Sequence, residues 1–369
     1  MTNKTLHIVG AGLAGLSCAV HAKARGYNVR LYEASSQVGG RIKQVGDHDN
    51  GTHLLVGAYK DSFEYLELIG SVDQLQPVPT NSYQLCEGPL YWEIPAQGFF
   101  KAILLGKVPG VSLWNLFGKT AQRRLWDPMV LAVFNTPLKQ LSKKLAWQTL
   151  REVLQSGPDG LTPYLCQTTL HNAFVAPALV GLELSLNTRL LSFDNSNLYF
   201  KDKTITLDDQ NKAVLCLPQQ AYSHIKAPFQ IPKVKSSPIT NIHFYVDHPV
   251  RTAFFGMINT TSQWVRAKGK LISVTISHFD LDRTSLADKV WREICFHLDK
   301  AQTQTPVHKI IREKHATPFQ DDAFISNKLS TKSPLPHVFI AGDCVNTGLP
   351  ATIESAIRSG KWAAQAIFE

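Results

Sequence analysis

Leu6, Ile8 and Val9 open the chain as a short apolar run, the pattern of a buried strand. A small-residue turn, Gly10-Ala11-Gly12-Leu13-Ala14-Gly15, interrupts it. A helix is then predicted to about Arg25, with Gly26 placed for its C-cap. Tyr27, Val29 and Leu31 alternate with polar neighbours as a second strand that ends on Glu33. Residues 183–190 and 212–218 also read as strands. So do 239–246 and 271–277, which precede an amphipathic helix around 287–300. Residues 61–163 read as helical, closed by the turn-rich Ser156-Gly157-Pro158-Asp159-Gly160. Near the end, a turn carrying Asp343 passes through Gly348 and Pro350 into an Ala-rich helix.

The opening order of strand, GxGxxG, helix, strand and acid is that of a dinucleotide-binding unit. Gly10 allows the tight turn, and Gly12 lets a pyrophosphate approach the backbone. Gly15 lets the helix pack closely on the strand. The helix start at Leu13 and Ala14 presents free N–H groups to phosphates, and Glu33 can accept hydrogen bonds from a ribose diol.

With 369 residues, 44% of them hydrophobic, the chain can bury large cores, and two domains are the prior. There is no low-complexity stretch, which argues against disorder. The six cysteines are scattered singly, without CxxC or metal-ligand spacing. That suits reduced thiols in a cytoplasm, and no metal is expected. The N-terminus mimics a signal peptide, but its glycines stand at diagnostic spacing and lead straight into a helix. No apolar run approaches the roughly 20 residues needed to span a bilayer.

Charge is unevenly placed. Between residues 94 and 151 nine basic residues face one acid, Asp127, a net of +8 out of +9 for the chain. Lys101, Lys107, Lys119, Arg123, Arg124, Lys139, Lys143, Lys144 and Arg151 alternate there with Trp92 just upstream and with Phe99, Phe100, Trp114, Phe117 and Trp126. This composition predicts contact with an anionic membrane surface. Nucleic acid, the competing partner of such a patch, fits poorly with a dinucleotide-binding unit.

Glu33 is followed by Ala34-Ser35-Ser36-Gln37-Val38-Gly39-Gly40-Arg41. This run resembles the extension of the FAD-dependent amine oxidase and phytoene desaturase superfamily, in which the paired glycines and the arginine wrap the cofactor's phosphates. By the same resemblance Leu190 reads the adenine edge, and Gly342 and Asp343 meet the ribityl chain. The helix start at Ala351, Thr352 and Ile353 aims N–H groups at the flavin pyrimidine. The implied cofactor is FAD, non-covalently held. The implied fold is α/β, with a discontinuous Rossmann-like FAD-binding domain (1–60, 164–222 and 325–369), a helical cap (61–163) and a β-rich substrate domain (223–324).

Three further stretches narrow the resemblance. These are Asp49–Tyr59, with its Asn50-Gly51-Thr52-His53 core, Leu125–Pro137, and Gly348-Leu349-Pro350-Ala351-Thr352-Ile353-Glu354. They are similar to the bacterial hydroxysqualene dehydroxylases. That family implies reductive removal of a hydroxyl from a long C30 isoprenoid, giving squalene for hopanoid or sterol-like lipids. It also implies hand-over from the enzyme that forms hydroxysqualene, and a cytoplasmic site, peripheral on the inner face of the cell membrane. The electron donor is left open. Two features depart from the family: Thr52 stands where Gln is usual, and the cap between about Phe117 and Arg124 is shorter. His53 is the candidate proton donor or substrate orienter, with Asp49 and Glu93 as further acids. A carotenoid desaturase, an amine oxidase and a flavin-free isoprenoid-binding protein of the same fold remain as alternatives.

Overall fold

The computed structural model describes residues 4–105, 118–278, 284–298 and 304–368. Strand Thr5–Val9 lies at the centre of a five-stranded parallel sheet. Its order is Glu183–Ser185, Asn28–Tyr32, Thr5–Val9, Asn211–Leu215, Val338–Ile340. Parallel sheets are covered on both faces, which explains why Leu6, Ile8, Val214 and Phe339 are apolar and buried. Helix Leu13–Ala24 covers one face, and the C-terminal helix Ile353–Ala366 crosses it at close range. A Cβ at Gly360 would overlap Ala14 O, and Ser17 Oγ donates to Ile357 O at 2.8 Å. A small antiparallel sheet, Leu190–Phe193, Asn197–Phe200 and Thr204–Thr206, packs Phe193, Leu198 and Phe200 near Val9 and Leu215.

Residues 183–190 are therefore not one strand. Asn187 takes φ of +51°, a left-handed conformation that turns the chain, and the two halves join different sheets.

The second sheet is built on Ser236–Met257, which pairs antiparallel with Trp264–Ser277 and with Val307–Pro318. The strands expected at 239–246 and 271–277 lie within it. Helix Leu286–Cys295 lays Val290, Trp291 and Ile294 against Phe244, Ile272 and Val274. It ends earlier than the pattern suggests, in a short turn at Phe296–Leu298; Lys300 lies outside the described residues.

The span 61–163 is not helical throughout. Ser82–Glu87 and Leu90–Pro95 form a hairpin and join the second sheet through Leu85 and Cys86, which pair with Gly256 and Met257. Tyr83 and Leu85 point inward while Gln84 faces Glu93 across the strands, a period of two. Gly88, at φ of +56°, makes the turn. Helices Lys60–Leu68, Ala96–Leu105, Asp127–Phe134 and Lys143–Gln155 are its longer helical parts.

The cap's aromatic residues also divide. Phe99 and Trp126 are buried with Tyr83 and Leu161, so they build an interior wall and not a membrane-facing surface. Arg124 is 2.7 Å from Glu87 and Arg123 is 3.1 Å from it, so the two share one carboxylate, which offsets one of their two charges. Lys139, Lys143, Lys144 and Trp147 are exposed. Lys107, Trp114 and Phe117 lie outside the described residues.

Candidate functional site

A cavity of about 770 Å³ runs from the glycine turn to the underside of the cap. Its outer arm is built on the ends of the parallel strands, where such sheets bind ligands. Gly10 has φ of +106° and sits against Cys216 O, so the chain turns there without room for a side chain. The first helical hydrogen bond is Leu16 N–H to Gly12 O, at 2.9 Å, which leaves the earlier N–H groups outside the helix ladder. Gly12, Leu13 and Ala14 line the cavity; Gly15 does not, because it packs against Gly10 O.

Glu33 is held at the end of its strand. Its Oε2 accepts from Ala11 N–H at 2.9 Å, and its Oε1 accepts from Ser35 N–H at 2.9 Å. Gly39 N–H donates to Ala11 O at 2.8 Å, which folds the Gly39-Gly40-Arg41 extension back over the turn. Leu190 lines the same arm with Thr188 and Arg189. Thr188 N–H bonds Glu33 O at 2.7 Å, a docking made possible by the bend at Asn187.

At the far end Arg41 and Asp343 meet, Nη1 to Oδ2 at 2.7 Å, and Arg41 also donates to Ala316 O at 3.0 Å. The Asp343 carboxylate holds the guanidinium in its charged form. Gly342, Asp343, Ala351, Thr352 and Ile353 line the cavity. Thr352 caps the last helix through Ser355 N–H. The Ala351 N–H is engaged by Gln320 Oε1 at 2.9 Å, so among the described residues Thr352 and Ile353 are helix-start positions on the cavity whose N–H groups have no protein partner.

This donor set fits FAD. An open floor at Gly12, where an added Cβ meets nothing nearer than Gly40 Cα at 4.0 Å, leaves room for a pyrophosphate. A carboxylate at Glu33 suits the ribose, and a helix N-terminus suits the electron-accepting ring edge.

The inner arm is apolar. Tyr83, Phe99, Trp126, Met129, Phe254 and Trp264 are among its walls, contributed by the cap and the second sheet. His53 reaches this arm, with Nε2 3.5 Å from Asn50 Oδ1. Burial lowers the His53 pKa, and the nearby Asp49 carboxylate opposes that shift. Asp49 accepts the Leu170 N–H at 2.7 Å behind the wall, and burial raises its pKa. Glu93 does not join them; Ser82 and Gln84 engage it on the hairpin. Sequence reasoning missed Asn241 and Thr275, which face the cavity from inside the long strands. Their signal is weak, because Ser273, Thr275 and Ser277 alternate with Ile272, Val274 and Ile276 as a solvent-facing polar row would, and Asn241 sits between Ile239 and His243. Among the described residues no cluster of His, Cys, Asp and Glu is placed to hold a metal.

Comparison with known proteins agrees with this geometry. Residues 8–67 match the model of the NAD(P)-binding Rossmann-like domain, and residues 115–368 match that of the flavin containing amine oxidoreductases. The hydroxysqualene dehydroxylase of Zymomonas mobilis is 29% identical over 97% of this chain and 97% of its own length. That of Rhodopseudomonas palustris is 28% identical over 99% of each. These alignments span 418 and 414 positions, more than the 369 residues here, so the relatives carry insertions. The solved structure of cyclohexylamine oxidase from Brevibacterium oxydans superposes with a TM-score of 0.73 at 12% identity, covering 99% of this chain and 98% of that one. With the family match extending over more than half of its length, the chain belongs to the flavin containing amine oxidoreductase family and is an FAD-dependent oxidoreductase.

Proposed function

We propose that the protein removes the hydroxyl of hydroxysqualene reductively, releasing squalene and water. The observation that carries this reading is the apolar inner arm, which opens directly onto the cofactor cleft. Nearly full-length similarity to two hydroxysqualene dehydroxylases supports it. In this reading 1–60, 164–222 and 325–369 hold FAD, while 61–163 and 223–324 enclose the substrate. Gly12, Gly39 and Gly40 border the phosphates, Glu33 the ribose, and Asp343 with Thr352 and Ile353 the flavin end.

The overall change is an alcohol, a proton and a hydride giving a hydrocarbon and water. Reduced FAD supplies the hydride when bound. His53 protonates the departing hydroxyl, turning it into water. Tyr83, Phe99 and Trp126 supply aromatic walls able to stabilise the resulting allylic cation, and the apolar lining excludes the water that would recapture it. Because burial lowers the pKa of His53, its charged form is scarce at neutral pH and grows as pH falls.

Mixing anaerobically reduced protein with hydroxysqualene should return the oxidised flavin spectrum as squalene forms. The rate should rise as pH is lowered from 8 towards 6. His53→Phe should be slower by about a hundredfold, with a flat profile. Flavin that stays reduced, with no squalene, would sink the reading. Reduction of the oxidised protein by a carotenoid or an amine would instead favour a desaturase or an oxidase.

The insolubility of such a substrate calls for delivery from a membrane. Exposed Lys139, Lys143 and Lys144 beside exposed Trp147 supply an electrostatic and aromatic contact to an anionic leaflet. At about 1 kcal/mol per lysine, Lys143→Glu with Lys144→Glu should markedly weaken co-sedimentation with phosphatidylglycerol vesicles. Added salt should weaken it further. Equal binding to neutral and anionic vesicles would exclude the electrostatic contact. Among the described residues no helix is long and apolar enough to cross a membrane.

A further inference from the structure

The Thr52 hydroxyl is buried in the cavity wall without a hydrogen-bond partner. Such an orphan needs an explanation, and a ligand atom is one. Its own backbone N–H is committed to Thr275 Oγ1 at 3.1 Å, which pins the loop onto strand Trp264–Ser277. Thr275 in turn donates its hydroxyl proton to Asn241 Oδ1 at 2.7 Å. That bond fixes the orientation of the Asn241 amide. Asn241 is buried and lines the cavity, and no partner for its Nδ2 is found among the described residues. The amide lies so close to Gly51 that a Cβ there would stand 2.8 Å from Nδ2, which accounts for the glycine before Thr52.

The geometry points to an oxygen-binding subsite made by Thr52 Oγ1 and Asn241 Nδ2, whose ligand is the hydroxyl of a long apolar alcohol. The inference rests on the proposed reaction for the identity of that alcohol. Its chemistry is selective. Nδ2 only donates, whereas the threonine hydroxyl donates and accepts. An alcohol oxygen can accept from the amide and exchange a second hydrogen bond with the hydroxyl. An ammonium group has donors alone and would leave the Asn241 N–H facing another donor. A hydrocarbon satisfies neither group. The subsite and His53, one residue on in the same loop, line the same cavity.

The test is binding to the oxidised holoprotein, where no turnover occurs, followed by the change in flavin absorbance. Wild type should bind hydroxysqualene about tenfold or more tighter than squalene, since a site built for a hydroxyl discriminates against its absence. Thr52→Val, which is isosteric and breaks no hydrogen bond of the hydroxyl with the protein, should remove most of this preference and leave squalene affinity unchanged. Asn241→Leu should do the same, and flavin content and the thermal midpoint report whether each variant folds. Equal binding of the two lipids by wild type, or an unchanged preference in a folded Thr52→Val, overturns the subsite. If the preference is present and lost in Thr52→Val, yet reduced wild type makes no squalene, the proposed reaction fails while the subsite stands. If squalene is made without any binding preference, the reaction stands and the subsite fails.

Discussion

Gly12→Val should purify folded but colourless, whereas Gly15→Val should fail to accumulate as folded protein. The two glycines sit three residues apart in one turn, yet they face different neighbours. Gly12 has extended backbone, φ −80° and ψ −178°, that any residue can adopt, and an added Cβ meets no protein atom closer than 4.0 Å. A valine there projects into the space assigned to the pyrophosphate. Displacing that contact should cost flavin affinity at least about 3 kcal/mol, roughly a hundredfold. At Gly15 an added Cβ overlaps Gly10 O, which belongs to the turn beneath the helix. Neither backbone can retreat without parting helix from strand, and a loss of about 4 kcal/mol or more is expected. Flavin absorbance per protein and the far-ultraviolet dichroism of each variant decide the matter. A yellow Gly12→Val with normal flavin content would mean that the phosphates do not pass over Gly12.

Arg358→Leu should be among the most destabilising single changes outside the glycine turn, at a cluster whose Glu152 and Glu354 border the cavity. Arg358 Nε is 2.6 Å from Asp61, and its Nη2 is 2.6 Å from Glu152 and 3.3 Å from Glu354. One cation thus joins the C-terminal helix to helix Lys60–Leu68 and helix Lys143–Gln155. Glu354 also caps helix Lys60–Leu68, accepting from Ser62 N–H at 2.9 Å, Ser62 Oγ at 2.6 Å and Asp61 N–H at 3.0 Å. Removing the guanidinium leaves three carboxylates facing one another. Lys361 remains on Asp61 at 2.9 Å but is not paired with Glu152 or Glu354. The expected loss is about 3–5 kcal/mol at pH 8.

Acid should relieve it. Burial pushes the Glu354 pKa from its ordinary 4.5 up to about 7. A raised carboxyl pKa contributes stability that is full below about 4.5 and is lost as pH rises to about 7. Without Arg358 the carboxylates hold protons still more tightly. The gap in thermal midpoint between wild type and variant should therefore be widest at pH 8 and narrow towards pH 5.5. A gap independent of pH would show that Arg358 acts through packing and not through charge.

How much of this was legible depended on how local each cause was. The turn at Gly10–Gly15 and the acid at Glu33 are set by backbone geometry within a few residues, and both lie where the pattern puts them. The hairpin at 82–95 was hidden because its inward Tyr83 and Leu85 sit beside a cationic, aromatic stretch that invites a compositional reading. For the same reason Phe99 and Trp126 looked like surface aromatics, although they are packed against Tyr83. The Arg41–Asp343 pair and the Asn241–Thr275–Thr52 chain join residues far apart in sequence, and no local signal announces such contacts. Gly51 was visible as a residue, but its reason, the amide of Asn241, was not.

The strand order of the parallel sheet carries a consequence for biosynthesis. Asn211–Leu215 is flanked by Thr5–Val9 on one side and by Val338–Ile340 on the other. During translation its second edge has no partner until the chain has grown by more than a hundred further residues. At roughly 5–20 residues per second this lasts several seconds or longer. Throughout that interval the apolar edge is open to pairing with other nascent chains. The cavity assigned to the cofactor is likewise incomplete until Asp343 and the helix after it emerge, so flavin capture follows their synthesis. Stalled or truncated chains should enter aggregates, and a generous supply of riboflavin would not rescue them.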